Sequence, residues 1–355
     1  MFSPLALSVV SLVAGAQAIT PSNLVAPSLS GALSALRYSN VGGSGSYDQV
    51  TNMIPGEWPS CNVNPSCITA PKAVSGNLAP FNEDLTFVMR GPMNVHNIAI
   101  YQPANTTGAT WKRVSAWAPN QEPDNMVFMA NLGGSISGNW SICGGASQAY
   151  VGGDWATAVA KPNEQLYSGT LQPGKEVNIM TATTCEEGGC DGFYRGTANQ
   201  GWADSKMAVF EFDMPNDPQN LPAIWALNGQ VVRAAQYGCN CRGMGGRGGC
   251  GELDIAETLT ANSPQAITEL YSFKGATGSG DGNFFPRPVG TTATLAVVFD
   301  VKTDAIAIVR LTDFDFSQTQ VARSLIDGLL GAPAMQVPFG TNKRRSQRSF
   351  MRRHH

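Results

Sequence analysis

Three carboxylates stand within six residues in Gly251-Glu252-Leu253-Asp254-Ile255-Ala256-Glu257-Thr258, in a chain where charged residues make up only 14%. As a β-strand the segment puts Glu252 and Asp254 on one face and Leu253 and Ile255 on the other, because successive side chains alternate. Glu257 would then fall on the apolar face. One extra residue taken up as a bulge at Ile255-Ala256 returns it to the side of the other two acids. Two carboxyls roughly 5 Å apart, with a third acid between them, are what retaining glycoside hydrolysis requires. The competing reading is a solvated strand face carrying three acids by chance. Like charges on one strand, with no cation near them in sequence, repel each other and cost stability unless function retains them. Catalysis by Glu252, Asp254 and Glu257 is therefore the expectation.

The remaining residue types narrow the chemistry further. Histidine occurs only at positions 96, 354 and 355, so a histidine-based nucleophilic triad or a multi-histidine metal site has little support. No metal and no cofactor is expected. The glycine-rich run from Tyr237 to Cys250 resembles a phosphate cradle only superficially, since neither a Lys-Ser/Thr pair nor a helical pattern follows it. It reads instead as a loop stapled by its cysteines at the rim of a cleft, leading into the acidic strand.

The elements that must position these acids are short strands. Apolar runs at 85–90, 95–101, 126–130, 207–212, 223–227, 252–258, 267–273, 293–300 and 305–311 are separated by Gly, Pro and Asn-rich turns, and none is followed by the helix that a βαβ unit needs. Within 207–212, Ala208, Phe210 and Phe212 face one way and Met207, Val209 and Glu211 the other, as in a strand inside a two-layer stack. The pattern predicts an all-β fold, a β-sandwich of jelly-roll type with a short irregular N-terminal domain. A short helix is expected within 321–330.

Residues 5–15 form an apolar run ending in Ala16-Gln17-Ala18, which reads as a secretory signal cleaved after Ala18 and is too short to span a bilayer. Expected boundaries are residues 1–18 for the signal, 19–75 for the N-terminal domain, 76–332 for the sandwich and 333–355 for a basic, disordered tail. Secretion makes the eight cysteines disulfide partners, with a local bridge between Cys61 and Cys67 expected to tie down the N-terminal domain. Two sequons, at Asn105 and Asn139, suit an extracellular glycoprotein. The six Lys and Arg residues after position 342 mask an acidic body: 17 basic residues against 26 acidic ones remain, a net charge of −9. Such a body is a poor nucleic-acid binder, because phosphate attraction supplies most of that affinity. No membrane contact is expected after signal cleavage.

Gly251-Glu-Leu-Asp-Ile-Ala-Glu257 resembles the bulged active-site signature of glycoside hydrolase family 16, and Pro222-Ala-Ile-Trp225 resembles that family's upstream strand. More narrowly, Gly76-Asn-Leu-Ala-Pro80, Arg90-Gly-Pro-Met93, Leu221-Pro-Ala-Ile-Trp-Ala-Leu-Asn228 and Gln236-Tyr-Gly-Cys-Asn-Cys241 are similar to a family of fungal secreted cell-wall endo-β-1,3-glucanase-like proteins, over about residues 47–330. The resemblance implies that Glu252 is a nucleophile, Glu257 a general acid and base, and Asp254 a tuning acid between them. It implies a polysaccharide partner, cell-wall β-glucan, with Trp225, and less strongly Trp202 and Tyr237, as sugar-binding aromatics. Two departures stand out. The strand after the acids, Glu269-Leu-Tyr-Ser-Phe273, lacks the histidine that many laminarinases carry there, leaving Tyr271 as its replacement. Arg242 stands where relatives often have an aromatic residue after the Cys-x-Cys pair. Hydrolysis is the leading expectation, with glucan transglycosylation and non-catalytic glucan binding as alternatives.

Overall fold

The computed structural model describes residues 24–27, 31–54, 66–137, 148–243, 249–280 and 282–340. Strand accounts for 45% and helix for 7%, and two large sheets lie face to face as a β-sandwich. One sheet, which carries the acids, runs β16 (Gly275–Gly278), β15 (Gln265–Ser272), β14 (Glu252–Glu257), β13 (Ala223–Asn228), β4 (Leu85–Arg90), β11 (Glu176–Met180), β7 (Val127–Asn131), β8 (Gln148–Val151) and β9 (Ala158–Val159). The other runs β20 (Gln320–Ala322), β6 (Thr110–Trp117), β5 (Met93–Pro103), β12 (Lys206–Asp213), β18 (Ala293–Asp300), β19 (Ala305–Leu311), β1 (Ala35–Ser39) and β21 (Met335–Pro338). Two-residue strands β10 (Thr170–Leu171) and β17 (Phe285–Pro286) extend β5 and β15. Among the described residues pairing is antiparallel throughout except between β1 and β21.

The alternation read from the sequence accounts for the layers. Ala208, Phe210 and Phe212 of β12 enter the core between the sheets, where Phe87 meets the rings of Trp202, Phe210 and Phe299. Met207 and Val209 point the other way, into a second apolar layer under helix α3 (Arg323–Leu330). That amphipathic helix buries Leu325, Ile326, Leu329 and Leu330. Its first residue, Arg323, grips the fully buried Asp300 through two bonds of 2.6 and 2.9 Å, which ties the helix to the end of β18. Two shorter helices, α1 (Cys185–Gly188) and α2 (Gly229–Arg233), sit in connections. Among the described residues no helix is long and apolar enough to cross a membrane.

The N-terminal segment contributes three strands. β1 pairs with β19 at full register, and β2 (Gly45–Ile54) and β3 (Ser66–Val74) form a hairpin. Tyr47 of the hairpin is buried against the acid-bearing sheet, and its hydroxyl donates to Glu83 at 2.8 Å. The local bridge expected between Cys61 and Cys67 is corrected: Cys67 joins Cys239, 172 residues away, so the hairpin is fastened to the loop that precedes the acidic strand. Cys185–Cys190 and Cys241–Cys250 are the other described bridges, the latter being the staple expected in the glycine-rich loop. The signal sequence, Cys61, Cys143, the Asn139 sequon and residues 341–355 of the expected tail lie outside the described residues, whereas residues 333–340, also assigned to that tail, are part of the sandwich: Met335–Pro338 form β21 beside β1, with Val337 and Phe339 buried.

One buried charge has a measurable consequence. Lys206 opens β12 with no exposed surface, its Nζ donating to the Phe81 carbonyl at 3.0 Å and lying 5.1 Å from the Phe299 ring. Burial pushes its ammonium down from 10.5 to about 7, against the pull of Asp204 and Asp84. Between these two values the unfolded chain holds a proton that the folded chain has released, so this lysine makes stability rise with pH across that window. Urea unfolding at pH 7 and pH 10 should show wild type gaining on the order of 4 kcal/mol relative to Lys206→Met. An equal stability difference between the two proteins at both pH values would contradict this.

Candidate active site

The acidic strand carries the bulge that its spacing implies. Trp225 of β13 stands opposite Asp254 and Ile224 opposite Ala256, so Ile255 is the extra residue. The pairing with β15 shifts at the same place. Leu253, Ile255 and Ala256 all enter the core between the sheets, which leaves Glu252, Asp254 and Glu257 together on the opposite face. That face is shaded: the three acids are only 1%, 4% and 8% exposed.

Strand register brings further groups beside them. Asp254 pairs with Glu269 of β15, and carboxylate oxygens of Asp254, Glu257 and Glu269 all lie within 4.8 Å of one another. Tyr271, opposite Glu252, donates its hydroxyl to Glu269. On the other flank Arg90 of β4 lies 3.5 Å from Glu257 and 5.3 Å from the Trp225 ring. Arg242 of the stapled loop reaches both oxygens of Glu252, at 3.3 and 3.4 Å. Glu176 of β11 pairs with Arg90 in register and accepts a 2.5 Å bond from the Tyr237 hydroxyl. A cavity of about 500 Å³ adjoins this flank, lined by Arg90, Lys175, Glu176, Asn178, Gln236 and Tyr237 among others.

Five carboxyls therefore share the face with two guanidinium groups, so they cannot all be ionised together. Crowding and desolvation both favour the protonated forms. Glu252 is pushed up to about 7 by burial, opposed by Arg242 and reinforced by Glu257, Glu269 and Glu176. Asp254 is held well above the usual carboxylate range by burial, then by Glu257, Glu252 and Glu269. Glu252 and Asp254 titrate together rather than singly. Three oxygens at this spacing also suit one cation, but the two guanidinium groups already supply the positive charge and the set reads as a proton-sharing cluster.

The aromatic residues divide. Trp225 is on the acids' face, but Arg90 covers one side of its ring, and its buried Nε1 has no hydrogen-bond partner. Tyr237 is 45% exposed beside the cavity. Tyr271 is buried among the acids, and burial, Asp254 and Glu269 all raise its hydroxyl. Trp202 is not brought to the acids. It lies in the core between the sheets, with Nε1 donating to Ser115 at 3.1 Å, because an aromatic beside a turn serves either purpose and here the facing sheet takes it. Asn105 is exposed in the turn between β5 and β6, where its Oδ1 accepts from Thr107 of its own sequon at 2.9 Å. Sequence reasoning did not assign roles to Glu269, Arg90 or Glu176, since each reaches the site through strand pairing over long sequence distances.

With this geometry in view, comparison with known proteins is informative. The model of the C-terminal part of the cell wall protein YJL171C/Tos1 family matches residues 109–328, and that of its N-terminal part matches residues 34–103. The chain belongs to this family of cell wall proteins. It is 33% identical over 246 residues to a probable circularly permuted 1,3-beta-glucanase of Schizosaccharomyces pombe, covering 64% of this chain and 47% of that protein. Identity to the probable circularly permuted 1,3-beta-glucanase TOS1 of Candida albicans is 34% over 249 residues, covering 65% and 50%. PGA52 of the same organism, with the same description, is 29% identical over 311 residues, covering 79% and 78%. The chain thus spans about half the length of the first two relatives. No solved structure matches it.

Proposed function

We propose that this protein is a secreted endo-β-1,3-glucan hydrolase of the cell wall that works by retaining double displacement. The observation that carries the reading is the bulge at Ile255, which sets Glu252, Asp254 and Glu257 on one shaded face. Glu252 is the nucleophile, attacking the anomeric carbon to form a glycosyl-enzyme. Glu257 protonates the leaving oxygen and then takes a proton from water. Asp254, held protonated by its neighbours, donates to the nucleophile and lowers the charge beside Glu257. The bulged run and its setting beside the Pro222-Ala-Ile-Trp225 strand resemble the active-site signature of the family 16 glycoside hydrolases, which supports the reading.

Three orphaned polar atoms support a sugar at this place. Glu252 Oε2, Asp254 Oδ2 and Trp225 Nε1 are buried on the acids' face without hydrogen-bond partners, and a buried polar group left unpaired calls for a ligand, an ion or water to complete it. Trp225 then acts through its N–H rather than as an open stacking platform. Tyr237, exposed at the cavity, is the better stacking surface. Laminarin assayed for new reducing ends with wild type and Glu252→Gln tests the reading. Wild type is expected to release them and the variant to lose at least about 10³-fold in rate. Equal rates, or no release by either, would overturn it.

A further inference from the structure

Among the described residues Arg242 is the one cation that touches Glu252, and the way it is held is unusual for a loop side chain. Its Nη1 donates to Oε1 at 3.4 Å and its Nε lies 3.3 Å from Oε2, so both carboxylate oxygens face one guanidinium. The two side chains are 9% and 1% exposed. The backbone beneath is fixed by the Cys241–Cys250 bridge on one side and by Asn240 on the other. Asn240 Oδ1 accepts from the Arg242 N–H at 2.7 Å, while its amide nitrogen donates to the carbonyls of Ala235 and Gln236 at 2.8 and 3.0 Å. Tyr237 lies 5.5 Å from the guanidinium and is itself bonded to Glu176. A long, flexible side chain is thus given one position.

We propose that Arg242 is a positioning residue for Glu252, a clamp that holds the nucleophile's carboxyl as an anion in one orientation within a face otherwise crowded with acids. The inference rests on the glucanase reading only for calling Glu252 a nucleophile. Facing Glu252 are Asp254 and Glu257 on its own strand, Glu269 and Tyr271 on β15, Glu176 on β11, Arg90 on β4 and Arg242 on the loop. All the carboxyls among them favour a protonated, non-nucleophilic Glu252, and so does burial. Arg242 is the direct counterweight. Burial works against its own charge, but Glu252, Tyr237, Asp254 and Glu176 more than offset this and keep it firmly cationic. A carboxylate has about four acceptor sites; Arg242 bonds Oε1 and stands beside Oε2, which itself accepts no hydrogen bond and keeps its lone pairs for attack on the anomeric carbon.

The test measures the carboxyl itself. Carbon-13 NMR of carboxyl-labelled glutamate, with the Glu252 signal assigned by its loss in Glu252→Gln, gives the titration midpoint in wild type, Arg242→Met and Arg242→Lys. The midpoint should rise by at least about one unit in Arg242→Met and by less than half as much in Arg242→Lys, which keeps the charge but not the fork. The acid limb of laminarin hydrolysis should move upward with it. Arg242→Gln carries the same comparison if the Met variant does not fold. A residue that only supports the loop would lower activity without moving the midpoint, so a midpoint within about 0.3 unit of wild type in both neutral variants, or equal shifts in Met and Lys, would overturn the proposal. Because the titration needs no turnover, the readings separate: a shifted midpoint without laminarin hydrolysis leaves the clamp and refutes the glucanase, and hydrolysis with an unmoved midpoint does the reverse.

Discussion

Deleting Leu253 is expected to abolish activity and to bring the protein to the edge of unfolding, whereas deleting Ile255 should leave it active. Without Leu253 the strand matches β13 residue for residue and loses its bulge, so Asp254 takes the place of Leu253 opposite Ala226 and Ile255 takes the place of Asp254 opposite Trp225. Asp254 then enters the core between the sheets among Phe87, Leu270 and other apolar side chains. A buried carboxyl stripped of its partners costs roughly 3–5 kcal/mol, and the lost Leu253 side chain adds about 2–5 kcal/mol. Against a usual stability of roughly 5–15 kcal/mol that is most of the margin. Deleting Ile255 is the control: it removes the one residue that β13 does not match, and the remaining Glu252, Leu253, Asp254, Ala256 and Glu257 alternate strictly with all three acids on their own face. That variant should be destabilised yet active on laminarin, while the Leu253 deletion should be inactive even at temperatures where it remains folded by circular dichroism. Equal activity in the two deletion variants would mean that the facing of the acids does not set the site.

The bulge was legible in the sequence for the same reason that it matters: with Ile255 and Ala256 adjacent between Asp254 and Glu257, the three acids and three apolar residues cannot be sorted onto two faces by strict alternation. The strands at 293–300 and 305–311 were legible as well, being long apolar runs between turns and buried along nearly their whole length. What could not be read was set by pairing between distant segments. Cys61 and Cys67 are close in sequence, but the hairpin that carries Cys67 folds across the sheet to Cys239. Glu269 and Arg90 look like ordinary strand residues until register puts them against Asp254 and Glu257. Trp202 shows the converse, a polar-looking loop whose aromatic is claimed by the core. Arg242 was visible as a departure from its relatives, but its contact with Glu252 depends on how the stapled loop turns back.

Glu257→Gln should separate the two halves of the proposed reaction, with an effect on laminarin of roughly 10³–10⁴-fold, the scale of lost acid–base assistance to a poor leaving group. The substitution keeps size and hydrogen bonding and leaves Glu252, Asp254 and Arg242 in place. A β-laminaribiosyl donor with a good leaving group needs no proton to depart, so it should still react with Glu252. The second step needs a base to activate water, and that base is gone, so the covalent glycosyl-enzyme should accumulate. The most direct measurement of the account is therefore the mass of the proteolytic peptide containing residues 252–257 after Glu257→Gln is mixed with such a donor. The predicted result is an added laminaribiosyl group fragmenting to an ester on Glu252, absent when Glu252 is also changed to Gln; an adduct on Asp254, or prompt turnover of the donor to the inverted α-anomer with no adduct, would contradict it.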